Sequence, residues 1–306
     1  MPDPNDVDVH VLDVGQGDCT LIVDHGSQSA LLIDCPSKGG KVAIEALRGL
    51  GNPEVVGAIL THWDLDHYGG FLEVAAASNC RTLYYNNDTI LAYPQDKTIR
   101  RAALRQLGEE PYASMRQESA ERGDEGSLGA FRWKIIAPYH GDLNRAIVNF
   151  DRNLCSGVLR GEAHGISIIV GGDADGRVWQ RLISESEDLR ADILRWPHHG
   201  AKISHSDITA SILLDCAQPK FTLISVGSRN RYGHPDPATV ELAARRSRMG
   251  CTQVTPQCHG LLDGRLGIPC GGTLSFRLKE GGIIETLGGW QHHGDVIDGW
   301  EKPMCR

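Results

Sequence analysis

Four side chains that commonly bind metal ions fall within one six-residue stretch: His62, Asp64, Asp66 and His67. The stretch follows the apolar run 55–60, which is typical of a buried strand, so the cluster is predicted to lie in the loop at the end of that strand. Carboxylates and imidazoles converge on one point only where a positive charge offsets the repulsion between the carboxylates. One divalent cation, or a pair of them, is the simplest such charge. The alternative is a solvated loop in which Asp66 caps a following helix.

Further polar residues stand where other predicted strands end, and they are Asp34, Asp173, His198, His199 and His234. Architectures that alternate strands and helices place their sites in loops at strand ends, so these residues are predicted to join the cluster. Asp34 could instead be a simple turn residue, and Asp173 could cap a helix.

The elements that must position these residues are predicted from periodicity. Residues 7–33 favour three strands, and helices and strands alternate over 176–249. Two mixed β-sheets packed face to face, with helices outside them, would suit this order. Residues 86–129 are polar and are predicted to form an insertion or lid, and 291–306 are predicted to form a loose tail.

The composition is that of a globular chain with an acidic balance. Its 306 residues, 41% of them hydrophobic, can bury a core, and the net charge of −8 argues against tight, extended binding to duplex DNA. No apolar run reaches the ~18 residues that a membrane span needs. The N-terminus has no signal-peptide character. Together these features predict a cytoplasmic protein without a membrane segment.

Nine cysteines without a CxxC pair indicate mostly buried thiols in a reducing compartment. Four residues, Cys251, Cys258, His259 and Cys270, could form a small structural zinc site. Their spacing matches no common zinc-binding pattern.

Several short motifs occur in a fixed order along the chain. They are Leu12 to Asp18, Leu32 to Asp34, Thr61 to His67 with Gly69 and Gly70, Asn153 with Ser156, Gly172 with Asp173, His198 to Gly200, Ser225 to Gly227, Asn230, and Tyr232 to Pro235. In this order they resemble the metallo-β-lactamase superfamily, and within it the metallohydrolase domain of the bacterial competence DNA-uptake family ComEC. The resemblance covers about residues 7–280. It implies a four-layer αββα sandwich over 1–290, with a binuclear metal centre at one edge.

The resemblance also implies ligands for both ions. His62 and Asp64 would bind the first ion, and Asp66 and His67 would bind the second. Asp173 would bridge the two ions. Each of these residues has the nitrogen or oxygen donors that divalent metals prefer.

The resemblance assigns further roles around these ligands. His234 matches the last ligand of the second ion. His198 falls where relatives of the ribonuclease Z type carry a histidine that protonates the leaving group; it could instead contact the metal, and His199 could take either role. Asp34 would support catalysis by orienting the loop of the cluster through hydrogen bonds.

The sequence departs from the superfamily pattern at the first ion. Asp64 stands where many members carry a second histidine, and the usual downstream histidine is absent. Asn153 lies nearest to that position and is expected to contact the substrate. Oxygen ligands favour manganese or magnesium, although zinc stays open. The expected cofactors are therefore two divalent ions, manganese or zinc, and β-lactam hydrolysis is not expected.

A binuclear centre of this kind predicts a phosphodiesterase or nuclease that uses a hydroxide bridging the ions. Asp66 and Asp173 would hold the hydroxide through the metals, and His198 would protonate the departing oxygen. Arg229 or Arg231 would hold a phosphate oxygen. The expected substrate is a nucleic acid or a nucleotide.

Two other functions stay open. The acidic balance suits hydrolysis of a small nucleotide or another small-molecule ester as well as it suits a nuclease. The same fold could also serve as a non-catalytic binding module, because a fold does not by itself define a function.

Overall fold

The computed structural model describes residues 2–93, 98–258, 269–299 and 304–305. Its strands are β1 (Val7–Val11), β2 (Thr20–Asp24), β3 (Ser29–Ile33), β4 (Glu54–Ile59), β5 (Thr82–Tyr85), β6 (Arg116–Ser119), β7 (Glu125–Leu128), β8 (Phe131–Ala137), β9 (Val158–Ala163), β10 (Ile166–Val170), β11 (Ile193–Arg195), β12 (Ser204–His205), β13 (Ile208–Thr209), β14 (Phe221–Ile224), β15 (Arg248–Cys251), β16 (Leu274–Lys279) and β17 (Ile283–Thr286). Its α-helices are α1 (Gly40–Gly49), α2 (Leu65–Tyr68), α3 (Phe71–Ala77), α4 (Thr98–Leu107), α5 (His140–Asn149), α6 (Gly176–Ser184), α7 (Ala210–Ala217), α8 (Pro237–Ala244) and α9 (Trp290–Asp298).

The first sheet has the strand order β17-β16-β1-β2-β3-β4-β5-β6. The buried strands β1, β2 and β3 pair antiparallel, whereas β3 to β6 run parallel. Neighbouring parallel strands end at the same edge of a sheet. Asp34, which follows β3, and His62, which follows β4, are therefore brought to one edge.

The second sheet has the strand order β15-β14-β11-β10-β9-β8-β7. Strands β7 to β10 pair antiparallel, and β10, β11, β14 and β15 run parallel. Helices α6, α7 and α8 lie in the connections between these parallel strands. The parallel strands end at one edge, which carries Asp173 after β10 and His198 and His199 after β11.

An apolar layer joins the two sheets. Val9, Ile33 and Ile59 of the first sheet pack in one buried cluster with Ile168 and Ile193 of the second. The outward-facing side chains of the strands pack with the helices in a second cluster. This arrangement confirms the αββα sandwich and its two mixed sheets.

Residues 86–129 supply an edge strand to each sheet. Strand β6 pairs with β5, and β7 pairs with β8. Helix α4 contacts the site loop, because the Tyr68 hydroxyl donates a 2.7 Å hydrogen bond to Gln106. That this segment acts as a lid remains a prediction.

The chain beyond residue 290 begins as a packed helix, where the sequence predicts a loose tail. Trp290, at the start of α9, is buried, and its ring centroid lies 5.3 Å from that of Phe221 and 5.2 Å from that of Phe276. One large apolar side chain thus anchors a helix whose other residues are mostly polar. No helix in the described parts of the chain is long and apolar enough to span a membrane.

Candidate metal centre

Asp34 holds the loop that follows β4. Its Oδ1 accepts a 2.8 Å hydrogen bond from the backbone N–H of Thr61, and its Oδ2 accepts a 2.7 Å bond from the Thr61 hydroxyl. The same Oδ2 lies 2.8 Å from Nδ1 of His67. Asp34 is fully buried and adopts a left-handed φ of 56°, which a short polar side chain tolerates. It therefore orients the loop from behind the donor atoms.

Hydrogen bonds at Nδ1 determine which nitrogen of each imidazole faces inward. Nδ1 of His67 donates to the Asp34 carboxylate, and Nδ1 of His199 lies 3.0 Å from the carbonyl oxygen of Ser225. Nδ1 of His62 lies 3.1 Å from the neighbouring threonine hydroxyl, whose own proton goes to Asp34. Carboxylate and carbonyl oxygens only accept hydrogen bonds, so in the neutral form of each ring the proton lies on Nδ1 and the lone pair on Nε2. Burial lowers the pKa of His67, but the carboxylates of Asp173 and Asp34 outweigh this effect and raise the pKa well above its usual value, so a cation that binds Nε2 would displace a proton from this ring.

Asp173 lies at the middle of these imidazoles. Its Oδ1 is 3.0 Å from Nε2 of His67 and 3.7 Å from Nε2 of His199. Its Oδ2 is 3.7 Å from Nε2 of His62 and 3.9 Å from Nε2 of His198. Burial raises the pKa of Asp173, but the adjacent His67 and His199 outweigh this effect and hold the pKa well below its usual value. The carboxylate is therefore ionised.

The donor atoms form two groups that share Asp173. The first donor group is His62, Asp64 and Asp173, whose donor atoms lie within 4.8 Å of one another. Donor atoms of Asp18, His67, Asp173 and His199 also lie within 4.8 Å of one another, but Asp18 faces Nδ1 of the two imidazoles, on the side away from Asp173. We define the second donor group as Asp66, His67, Asp173 and His199. Asp66 joins the second group because its Oδ2 lies 3.3 Å from Nε2 of His199.

Four buried atoms face one another at the centre of these groups: Nε2 of His62, His67 and His199, and Oδ1 of Asp173. Nε2 of His67 and Oδ1 of Asp173 lie 3.0 Å apart and pair when His67 is protonated, whereas Nε2 of His62 and of His199 have no hydrogen-bond partner. An unpaired buried polar atom costs roughly 1–3 kcal/mol, which a shared partner would offset. A divalent cation accepts lone pairs from both imidazole nitrogen and carboxylate oxygen. The residues present therefore fit divalent metal binding.

The sequence assigns His234 to the second ion, but the structure places His199 beside Asp66 and His67. His234 belongs to neither donor group; its ring centroid lies 5.3 Å from that of His198 on the wall of a cleft. His198 and His199 both have a left-handed φ, 51° and 54°, and their ring centroids lie 6.3 Å apart. This tight turn after β11 directs His199 into the second donor group and His198 towards the cleft.

Asp18 is a buried carboxylate whose part in the site the sequence does not reveal. Its Oδ2 lies 3.6 Å from Nδ1 of His67, and its Oδ1 lies 3.3 Å from Nδ1 of His199. Its charge is balanced by Arg195, a buried residue of β11 that contacts it directly. Because Asp18 precedes β2 and Arg195 lies in the second sheet, the pair connects the two sheets behind the second donor group.

A cleft of about 620 Å³ opens over the donor groups. Its walls include Asn153, Arg229 and Arg231, the residues that the sequence predicts to contact substrate, and their binding of substrate remains a prediction. Arg152, which the sequence-based reasoning missed, also lines the cleft and donates a 2.7 Å hydrogen bond from Nη1 to Oδ1 of Asp64. The cleft thus combines a carboxylate-rich floor with guanidinium groups on its walls.

The small zinc site considered for Cys251, Cys258, His259 and Cys270 is not formed by the described atoms. His259 lies outside the described residues, and all nine cysteines are free thiols. Within the described ranges, no three of their sulfur atoms lie within 4.8 Å of one another.

The architecture is the metallo-β-lactamase fold, and comparison with known proteins agrees. Residues 12–148 match the model of the metallo-beta-lactamase superfamily. Zn(2+)-bound PqqB from Methylobacterium extorquens shares the fold, with a TM-score of 0.54 and 11% identity over 80% of this chain and 97% of that chain. The metallohydrolase Igni18 from Ignicoccus hospitalis has a TM-score of 0.50 and 14% identity over 92% of this chain and 98% of that chain. Over residues 12–148 the chain is thus similar to the metallo-beta-lactamase superfamily, and it has the fold of the two solved structures.

The chain is also similar to competence proteins. It is 28% identical to ComE operon protein 3 of Bacillus subtilis over 78% of this chain, and 24% identical to competence protein ComA of Neisseria gonorrhoeae over 91% of this chain. These matches confirm the resemblance to the ComEC metallohydrolase domain. The chain spans 31% of the length of the first relative and 33% of the second.

Proposed function

We propose that this protein is a metal-dependent phosphodiesterase that cleaves single-stranded or end-bearing nucleic acid with two divalent ions. His62 and Asp64 would hold the first ion, Asp66 with His67 would hold the second, and Asp173 would lie between them. His199 completes the second set. Once bound, the ions would supply the Lewis acidity that produces a nucleophile from water at neutral pH. The additional carboxylate of the first donor group favours manganese over zinc.

The charge distribution of the cleft is the observation that carries this proposal. Three arginines, Arg152, Arg229 and Arg231, line a cleft whose carboxylates are Asp64, Asp66 and Asp173. The guanidinium charges balance the carboxylates, so each bound dication leaves the cleft net positive. A phosphodiester then meets a positive surface on a chain whose net charge is −8. Guanidinium groups are suited to the bidentate recognition of phosphate oxygens.

His198 is the imidazole placed to exchange protons with the substrate. Its Nε2 lies 3.9 Å from Oδ2 of Asp173, and 29% of its side chain is exposed to the cleft. Burial lowers the pKa of His198, so the neutral ring predominates at pH 7. His198 would therefore take a proton from solvent, through its exposed side, before giving it to the departing oxygen.

A cleavage assay tests the proposal. We expect the purified chain with Mn²⁺ to cleave labelled single-stranded DNA at low salt. His62→Ala should lower the rate roughly 10²-fold or more, because one donor group loses its imidazole. His140→Ala is the matched control, since this exposed histidine lies outside the cleft. Cleavage that is equally fast in His62→Ala would contradict the proposal.

A second candidate function is hydrolysis of a small nucleotide. A cleft of about 620 Å³ is of the size that encloses a small ligand, which favours this reading. Turnover of a dinucleotide panel without cleavage of longer strands would select it. A chain that holds far less than one tightly bound ion and does not respond to Mn²⁺ would instead be a binding module.

Removing the ions is expected to destabilise the protein. Without the ions, several carboxylates and imidazoles would remain buried close together with no cation between them. A ligand present at about 100 times its dissociation constant contributes about 2.7 kcal/mol to the free energy of unfolding. Thermal unfolding should therefore shift down by several degrees when EDTA replaces Mn²⁺. An unchanged midpoint in wild type, or an equal shift in Asp173→Asn, would show that no ion binds at the donor groups.

A further inference from the structure

Asn230 fixes the loop that follows β14. Its Nδ2 donates hydrogen bonds to the carbonyl oxygens of Gly227 (2.9 Å) and His234 (2.8 Å). Its Oδ1 accepts from the backbone N–H groups of Tyr232 (3.2 Å) and His234 (2.9 Å). One side chain thus satisfies four backbone groups, so the positions of Tyr232 and His234 are fixed relative to each other.

The rings of Tyr232 and His234, whose backbone Asn230 holds, stack on each other at the cleft. Their planes differ by 19°, and their centroids lie 5.9 Å apart. Tyr232 lines the cleft and is 56% exposed. The guanidinium carbon of Arg231 lies 5.3 Å from the centre of the Tyr232 ring, and its Nη2 donates a 3.2 Å hydrogen bond to the Tyr232 hydroxyl. Single exposed aromatic residues are ordinary, but this one is stacked, oriented and flanked by a cation.

Ring contacts continue from His234 towards the donor groups. The His234 ring makes an edge-to-face contact with the His198 ring, with centroids 5.3 Å apart, and Nε2 of His198 is 3.9 Å from Oδ2 of Asp173. A planar ligand on the outer ring therefore sits at the end of a row of rings that leads to the donor atoms. Arg152 and Arg229 lie on the walls of the same cleft, where they can meet negative charge on the rest of that ligand.

We propose that Tyr232 and Arg231 form a nucleobase platform, on which one base of the substrate stacks while its phosphate reaches the donor groups. This inference rests on the proposed function and identifies the substrate by its base. Stacking on an aromatic face accepts any base, because every base has a π-face, and an adjacent guanidinium strengthens the contact. An apolar ligand without phosphate would bring no negative charge to the guanidinium groups of the cleft.

Binding without turnover tests the platform directly. Wild-type chain with Ca²⁺ in place of Mn²⁺ is titrated into a fluorescein-labelled single-stranded oligothymidylate, binding is followed by anisotropy, and the recovered probe is checked for integrity. Tyr232→Ala should weaken binding roughly 5- to 150-fold. Tyr232→Trp should bind within about threefold of wild type, whereas Tyr232→Leu should resemble Tyr232→Ala, because leucine keeps bulk but lacks a π-face. Ile283→Ala, an exposed position of β17 outside the cleft, is the control.

A double-mutant cycle tests whether Tyr232 contacts a base of the probe. Probes with an abasic nucleotide at the 5′ or the 3′ end are compared with the intact probe. An abasic nucleotide at the end that binds the platform should weaken binding to wild type. The same probe should bind Tyr232→Ala almost as well as the intact probe does, because the abasic change and the substitution remove the same contact. If an unlabelled dinucleotide displaces the labelled probe from wild type but not from Tyr232→Ala, a short ligand uses the same platform.

Two results would overturn the platform: Tyr232→Leu binding as tightly as wild type, or abasic penalties that are equal in wild type and Tyr232→Ala. Failure of the proposed function looks different. If probes bind through Tyr232 but are never cleaved with Mn²⁺, the phosphodiesterase proposal is refuted and the platform proposal stands. If Tyr232→Ala cleaves the substrate with an unchanged KM, the platform proposal is refuted and the phosphodiesterase proposal stands.

Discussion

Asp173→Asn is expected to remove both metal ions and to lower hydrolysis by about 10³-fold or more. Asp173 is the carboxylate that the two donor groups share, and one of its oxygens faces each group. An asparagine keeps the shape of the side chain but loses its charge. Its amide nitrogen, which donates hydrogen bonds and does not bind cations, would face one of the two donor groups. Loss of the ions forfeits several kcal/mol of transition-state stabilisation, and each 1.36 kcal/mol is a factor of ten in rate.

Metal content per chain and hydrolysis rate are the two measurements that test this expectation. Asp188→Asn makes the same chemical change at an exposed carboxylate that pairs with Arg160, and it should leave both measurements unchanged. Asp64→Asn should weaken only the first ion, whereas Asp66→Asn should weaken only the second. Two ions retained in Asp173→Asn would refute the shared position of this carboxylate.

The second large effect is expected from the buried pair Asp18 and Arg195. Arg195→Leu leaves the Asp18 carboxylate buried without its partner, which typically costs about 3–5 kcal/mol. We therefore expect a lower free energy of unfolding. The Asp18 carboxylate still lies beside Nδ1 of both His67 and His199 in this variant, so the second donor group keeps its supporting charge.

The double variant Asp18→Asn/Arg195→Leu separates the two effects. Removing both charges should restore much of the stability, because neither charge is then left unpaired. Affinity for the second ion should fall about 10- to 100-fold, since the partner carboxylate behind His67 and His199 is gone. Chemical denaturation gives the first quantity and metal titration gives the second. If stability recovers and the affinity equals that of wild type, the pair serves the fold alone.

The fold and the main ligand cluster could be predicted because their signals are local. The apolar run before His62 indicates a strand, and two carboxylates beside two histidines indicate a cation, without knowledge of any other part of the chain. The tail was predicted wrongly as loose, because one tryptophan outweighs the polar composition around it. Only the surrounding rings of Phe221 and Phe276 show what Trp290 packs against.

The sequence by itself determined which strands end in metal-binding side chains, because strand periodicity and residue type are read along the chain. The tertiary structure alone brings His199 beside Asp66 and His67, because consecutive left-handed residues turn two neighbouring rings in different directions. That His234 binds the second ion stays a prediction. The tertiary structure also decided the parts of Asp18 and Arg152, whose partners are distant in sequence. Such contacts depend on how the two sheets pack, and that packing is set by the whole core rather than by any one motif.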